Sequence, residues 1–248
     1  MTDGPSTLDP DEVARFERLA GTWWDPAGPM RALHRLNPVR LAFIRDEACR
    51  HLGREPRAPR PLEGLRMLDV GCGGGILCEP LARMGATVTG LDPAPTNVSV
   101  ARLHAERAGL AIDYREGVVE THDAAHYDVV LALEVVEHVA DVDAFVAACA
   151  AATRPGGLLV MATLNRTLRS FAFAIVGAEY VLRWLPRGTH TWEKFVTPDE
   201  LQDAMATAGL FPGEPQGVVF NPLADRWSLS RDTAVNYMLA ATKPNAPT

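Results

Sequence analysis

The sequence predicts an α/β fold, with a mostly parallel sheet that carries helices on both faces and an antiparallel strand at its end. From residue 65 onward, short apolar runs alternate with segments of helical periodicity, which is typical of right-handed βαβ units. Near the C-terminus, apolar runs at 217–221 and 233–241 are separated by a polar stretch without a helical pattern. Two strands so close in sequence favour an antiparallel hairpin at the end of the sheet.

A helical cap and linker are predicted over residues 1–61, before the alternation begins. Turn-rich residues separate one expected helix at 9–24 from a second at 38–52. The stretch 53–61 is rich in proline and arginine, which favours an extended, solvated linker.

The α/β domain is expected over residues 62–248, with an inserted segment at about 165–196 where the alternation is interrupted. After the insert, Thr197 with Glu200 three residues later forms a capping-box pattern that marks the start of a helix. The predicted strands are 66–70, 86–91, 110–115, 127–133 and 158–163, and the predicted helices are 76–84, 94–108, 142–153 and 198–208. Ligands of such sheets bind beyond the carboxyl ends of the strands, near the point where the strand order reverses.

Composition and charge restrict the functions that this chain can have. It has 248 residues, of which 47% are hydrophobic and 22% charged, and this excludes a disordered chain. Its 31 acidic and 24 basic side chains give a net charge of −7, so a nucleic-acid partner is not expected. The four cysteines match no zinc pattern and indicate reduced, apolar packing residues. With neither a signal-peptide pattern nor an apolar run of about 18 residues, the protein is expected in the cytoplasm.

A glycine-rich loop follows the first predicted strand. The dinucleotide fingerprint G-x-G-x-x-G fails, because Ile76 stands where the third glycine is required. What stands instead is D-x-G-x-G-x-G, from Asp69 through Gly71, Gly73 and Gly75. This resembles the first motif of class I methyltransferases, which have a Rossmann-like sheet and use S-adenosylmethionine. The resemblance implies that Gly71 and Gly73 bind this donor.

An acidic residue completes the predicted donor site. Asp92 ends the second predicted strand, 21 residues after Gly71. A carboxylate at that position can accept hydrogen bonds from both hydroxyls of a ribose, although the same logic serves NAD enzymes. The combination with the glycine motif favours S-adenosylmethionine over NAD.

An acidic-histidine cluster follows the fourth predicted strand, whose last residue is Leu133. If the chain turns helical there, the spacing places Glu134, Glu137 and His138 on one face. Two carboxylates and an imidazole could bind Mg²⁺ or another divalent cation beside the donor. Alternatively, His138 alone takes a proton as general base, or the carboxylates have a structural role, such as capping helices or pairing with Arg35 or Arg40.

Motifs spread over nearly the whole chain resemble the ubiquinone-biosynthesis O-methyltransferase family. They accompany the glycine motif and the Glu-His cluster, and the resemblance runs from about residue 13 to residue 243. These motifs are WWDP at 23–26, LHRLNPVR at 33–40, TLNR at 163–166, VGAEY at 176–180, GTH at 188–190 and VNYM at 235–238.

The resemblance implies two O-methylations, of 2-polyprenyl-6-hydroxyphenol and of 3-demethylubiquinol, both polyprenyl catechols. It also implies that Arg40, Gly71, Asp92 and Leu133 contact S-adenosylmethionine. A divalent cation held by Glu134, Glu137 and His138 is implied for at least part of the family. Alternatives are a soluble phenolic substrate, a C-methylation, or a non-catalytic scaffold that retains the donor pocket.

The stretch 166–192 within the insert is basic and apolar. It holds four arginines and one acid, a local charge of +3 in a chain of −7. Its apolar side chains recur at helical spacing, which predicts either a lid over the active site or an interfacial element. A polyprenyl substrate favours the latter, so peripheral association with the inner face of the membrane is expected, and other ubiquinone-biosynthesis proteins are possible partners.

Overall fold

One mixed sheet forms the centre of the protein. The computed structural model describes residues 7, 13–14, 20–122, 127–171, 192–221, 224 and 226–246, and nine strands lie within these ranges. They are β1 (Arg66–Val70), β2 (Thr87–Asp92), β3 (Asp113–Glu116), β4 (Tyr127–Leu133), β5 (Thr153–Leu164), β6 (Phe211–Pro212), β7 (Gln216–Asn221), β8 (Arg226–Ser230) and β9 (Asn236–Thr242).

The strand order is β3-β2-β1-β4-β5-β9-β7-β8, with β6 paired to β9. The first five strands in this order are parallel, whereas β9 runs antiparallel to β5 and to β7. Val70 lies beside Leu91 on one side and Ala132 on the other, so β1, β2 and β4 end at the same edge. The order reverses between β1 and β4, which places a ligand crevice at that edge.

Helices cover both faces of the sheet, as predicted. On one face, Ile44 of α1, Leu81 of α2 and Ala101 of α3 belong to one fully buried apolar cluster. On the other, Val146 of α4 and Leu201 of α5 belong to a second cluster. These helices are α1 (Arg31–His51), α2 (Cys78–Arg83), α3 (Pro95–Arg107), α4 (Val142–Ala152) and α5 (Pro198–Thr207). Because α1 shares its core with α2 and α3, the cap packs directly on the α/β domain, and the boundary at residue 61 stays a prediction.

Helix α1 begins seven residues earlier than the sequence predicts. Pro38 indicated a helix start, but it lies inside the helix, where it removes one backbone hydrogen bond. Burial on either side of the proline keeps the helix continuous: Asn37 Nδ2 donates to the Ile76 carbonyl at 3.0 Å before it, and Phe43 is in the core after it. Tertiary contacts therefore outweigh the local cost of the proline.

The two predicted C-terminal strands pair antiparallel as expected, as β7 and β9, but the chain does not join them directly as a hairpin. A strand at 226–230, within the stretch interpreted as polar, forms the hairpin with β7, and β9 then inserts between β5 and β7. Trp227 explains the extra strand, because its side chain packs against the core cluster under α1. One aromatic residue among polar neighbours is a weak signal for a strand.

Several predicted features fall partly outside the described residues. Of the helix at 9–24, Val13 and Ala14 are helical and Ala20–Thr22 is a 3-10 turn. Of the insert, one helical turn at Leu168–Ser170 and a 3-10 turn at Trp192–Lys194 are described, whereas residues 172–191 are not. No helix in the described ranges is long and apolar enough to cross a membrane. All four cysteines are buried and free of disulfides.

Candidate active site

The glycine loop lies at the carboxyl edge of the sheet, between β1 and α2. The backbone N–H groups of Gly71 and Cys72 both donate to the Leu91 carbonyl, at 2.8 and 3.0 Å. These bonds hold the loop against the end of β2, so the loop and Asp92 are brought together as the motif spacing predicts. Gly71 has a φ of 71°, in the left-handed region that glycine adopts at little cost.

Asp92 is buried, and protein donors already use most of its acceptor capacity. Its Oδ2 accepts from Gly73 N at 2.8 Å, and its Oδ1 accepts from Ala94 N at 2.9 Å and Asn97 Nδ2 at 3.1 Å. A carboxylate offers about four lone-pair sites, so this arrangement leaves one for a ligand. Burial raises the pKa of Asp92, and these three hydrogen bonds oppose the rise.

Arg40 projects from α1 into the same region as a buried cation. Only 7% of the residue is exposed, and its Nη2 lies 2.5 Å from Glu134 Oε1. Its Nε has no hydrogen-bond acceptor within the described part of the chain, and Nη2 makes only the ion pair with Glu134. A buried guanidinium with unused donors fits a carboxylate ligand, since charge-assisted hydrogen bonds are the strong ones. The donor's carboxylate is such a group.

Glu134, Glu137 and His138 do not lie on one helical face. Glu134 has a φ of 58°, and a 3-10 turn follows at Val136–His138. Glu134 is turned toward Arg40, whereas Glu137 Oε2 accepts from Thr163 Oγ1 at 2.8 Å on the neighbouring strand. The reversal at Glu134 therefore gives different partners to the two carboxylates that the predicted helix would have aligned.

The carboxyl group of Glu137 is fully buried. Burial and the nearby charge of Glu134 raise its pKa to about 7, and His138 opposes the rise. Its Oε1 has no hydrogen-bond partner among the described residues. Those residues contain no group of three histidine, cysteine or acidic side chains placed to hold a metal ion. In this arrangement the three side chains do not fit the predicted metal site, and the metal stays a prediction.

Comparisons with known proteins identify the family of this chain. A methyltransferase-domain family model matches residues 41–211. The ubiquinone biosynthesis O-methyltransferase of Methylobacterium nodulans is 66% identical over 249 residues, which cover 99% of each chain. That of Methylocella silvestris is 60% identical and covers 97% of this chain and 96% of its own. The chain belongs to the ubiquinone biosynthesis O-methyltransferase family. It is an S-adenosylmethionine-dependent O-methyltransferase.

Solved structures show the same fold at low sequence identity. The magnesium protoporphyrin IX methyltransferase of Synechocystis PCC 6803, solved with bound SAH, has a TM-score of 0.61 and 19% identity, covering 94% of this chain and 93% of its own. A methyltransferase of Thermotoga maritima has a TM-score of 0.63 and 16% identity, covering 94% and 99%. The predicted class I methyltransferase fold is therefore confirmed.

The family motif WWDP covers the glycine loop of this methyltransferase, which spacing alone did not predict. Trp23 packs on the loop, and its Nε1 donates to Asn97 Oδ1 at 2.8 Å. Trp24 Nε1 donates to the Gly74 carbonyl at 2.8 Å, and its ring stacks on His104 at 3.5 Å. The unusual tryptophan pair was the available signal, but nothing in the sequence indicates its partners.

Thr7, near the N-terminus, contacts the turns that follow β3 and β4 at the carboxyl edge of the sheet. The Thr7 carbonyl accepts from Ala140 N at 2.8 Å, and Thr7 Oγ1 donates to the Glu120 carboxylate. Glu120 lies in the turn after β3 and Ala140 beyond the turn after β4. Leu133 is buried at the end of β4, and its contact with the donor stays a prediction.

Proposed function

We propose that this methyltransferase methylates a hydroxyl oxygen of polyprenyl catechols, namely 2-polyprenyl-6-hydroxyphenol and 3-demethylubiquinol. The observation that carries S-adenosylmethionine binding is the buried guanidinium of Arg40. It lies at the edge where the glycine loop and Asp92 meet, and its Nε–H has no hydrogen-bond acceptor among the described residues. The relatives at 57–66% identity, all named for ubiquinone biosynthesis, support the substrate class.

Alignment and proton removal are the protein's contributions to this chemistry. Bound S-adenosylmethionine supplies a methyl group on a positively charged sulfur. A phenol with a pKa near 10 is ionised to roughly one part in 10³ at pH 7, so a base beside the catechol is needed. We assign that role to His138, which follows the end of β4. Holding the oxygen in line with the methyl group contributes several kcal/mol more.

Methyl transfer to a short-chain prenyl catechol tests the proposed reaction. Wild-type protein is expected to methylate the catechol, and His138→Ala is expected to lower kcat by about 10²-fold or more, the usual contribution of a general base. Analogues that lack one hydroxyl serve as controls for the position of transfer. Methylation of ring carbon, or of an analogue without the target hydroxyl, would refute the assignment.

The described arrangement of Glu134, Glu137 and His138 does not fit a divalent cation, so we propose to test the predicted metal requirement separately from the donor site. The assay is repeated with EDTA and with Glu134→Ala. If a cation binds there, EDTA abolishes transfer in the wild type and added Mg²⁺ restores it, while the variant no longer responds to Mg²⁺. Full activity in EDTA would defeat the metal proposal and leave the donor site untouched.

The basic stretch 166–192 is proposed to hold the cytoplasmic protein at the inner face of the membrane, where the polyprenyl substrate lies. Flotation with anionic liposomes at low salt is expected to recover the wild type, and Ile175→Glu or Arg183→Glu to recover less, because each removes apolar or cationic contact. Arg57→Glu, the same charge change at an exposed residue of the linker, is the matched control. If Ile175→Glu and Arg183→Glu float as well as the wild type and the Arg57→Glu control, the proposed membrane contact of this stretch is refuted.

A further inference from the structure

We propose that Trp23 is a positioning residue for the methyl donor, which acts through Asn97 on Asp92. The proposal rests on the donor site described above and extends it to the chain segment before the first strand. Two independent contacts of one indole carry the inference. One is with the backbone of the glycine loop, and the other is with the side chain that orients the Asp92 carboxylate.

The first contact explains a glycine that the motif does not require. Gly74 occupies a variable position of D-x-G-x-G-x-G, and its φ is not in the left-handed region. A Cβ added at Gly73 or at Gly74 would nevertheless come within 3.0 Å of Trp23 side-chain atoms. The indole therefore lies directly on the loop, and the absence of a side chain at Gly74 makes room for it.

The second contact fixes the orientation of the Asn97 side-chain amide, which could otherwise rotate by about 180°. Trp23 Nε1 donates to Asn97 Oδ1 at 2.8 Å, and Asn97 Nδ2 donates to Asp92 Oδ1 at 3.1 Å. Asn97 is only 1% exposed, so water does not replace a lost partner. The indole N–H can only donate, so it selects the amide orientation in which Nδ2 faces the carboxylate. The opposite orientation would set the Asn97 oxygen against the Asp92 charge.

The consequence is specific to the donor. Asp92 keeps one acceptor site for a ligand, and its direction depends on the Asn97 bond that Trp23 holds in place. Loss of the indole N–H leaves Asn97 Oδ1 buried without a hydrogen-bond donor, which is unfavourable. Part of that cost falls on the Asp92 orientation and appears as weaker donor binding. Neither contact involves Glu137 or His138, so the catechol step is expected to be preserved.

Trp23→Phe separates the hydrogen bond from the apolar cover, because phenylalanine keeps a ring but has no N–H. We expect a 3- to 10-fold rise in the Kd of S-adenosylmethionine by calorimetry and in its KM, while kcat and the catechol KM change less than twofold. Trp227→Phe is the matched control, since Trp227 is half-buried in β8 and its ring packs at a tilt against Phe220. If Trp23 had only a structural role, Trp23→Phe would lower kcat and the thermal midpoint of the free protein, and would not raise the donor KM selectively.

Asn97→Ser provides a second test that leaves the indole in place. It removes the amide between Trp23 and Asp92, and it is expected to raise the donor Kd to a similar extent. Donor Kd values equal to the wild type in either folded variant would overturn the inference. Failure of the wild type to bind S-adenosylmethionine would instead refute the donor site itself, so the two failures are distinguishable.

Discussion

Asp69, the first residue of the glycine motif, holds a carboxyl group where its charge is unfavourable. It is 3% exposed in β1 and accepts from the Cys78 thiol at 3.1 Å, a weak donor. Burial raises its pKa to about 7, although the Cys78 bond and the charge of Arg40 act in the opposite direction. In the free protein this residue therefore titrates near neutral pH.

Asp69→Asn is expected to stabilise the free protein more at pH 8 than at pH 5. An unfolded Asp titrates near 3.8, so between that pH and about 7 the folded chain binds more protons, and stability falls as pH rises through this window. Above it the wild type holds a buried charge that Asn lacks, worth at most roughly 4 kcal/mol at 1.36 kcal/mol per unit. Urea unfolding at both pH values measures the difference, with exposed Asp113→Asn as control. A variant effect equal at pH 5 and pH 8 would contradict the assignment.

At the residue scale, the sequence was informative where chemistry is local. Gly71, Gly73 and Asp92 were predicted from short spacings, and the structure brings them together. Trp23 and Asn97 were not predicted, because their hydrogen bond joins residues 74 positions apart. A contact between residues so far apart produces no periodicity or short motif, so a single sequence does not predict it.

At the element scale, helix α5 shows how much a local signal can determine. The predicted capping box is present: Thr197 Oγ1 accepts from Glu200 N at 3.3 Å, and Glu200 Oε2 accepts from Thr197 N at 2.9 Å. Such a cap depends only on neighbouring residues, so the sequence predicts it correctly. The start of α1 depends instead on burial around Pro38, and that prediction was wrong.

Thr197→Ala is expected to lower the free energy of unfolding by about 1 kcal/mol, since it removes the acceptor that satisfies a free N–H at the start of α5. Thr197→Ser keeps the hydroxyl and is expected to stay within a few tenths of a kcal/mol of the wild type. Urea denaturation of the three proteins at one pH gives the comparison. Equal losses in both variants would mean that the methyl group, not the cap, supplies the stability.

At the scale of the whole molecule, the fold class was predictable and the strand order at one end was not. Alternation of strands and helices extends through the α/β domain, so an error in one element does not change the class. The position of β9 between β5 and β7 depends on pairing between distant segments. Hydrophobic patterns identify strands but do not identify their neighbours.

The contacts of Thr7 and Trp23 also bear on the order in which the donor pocket can be completed during synthesis. Thr7 leaves the ribosome early, yet its partners Glu120 and Ala140 are made more than a hundred residues later. Closing a loop of that length carries a larger entropic cost than forming any βαβ unit. Trp23 can therefore cover the glycine loop as soon as Asn97 has been made, whereas the Thr7 contacts form only after β4 and the turn beyond it are complete.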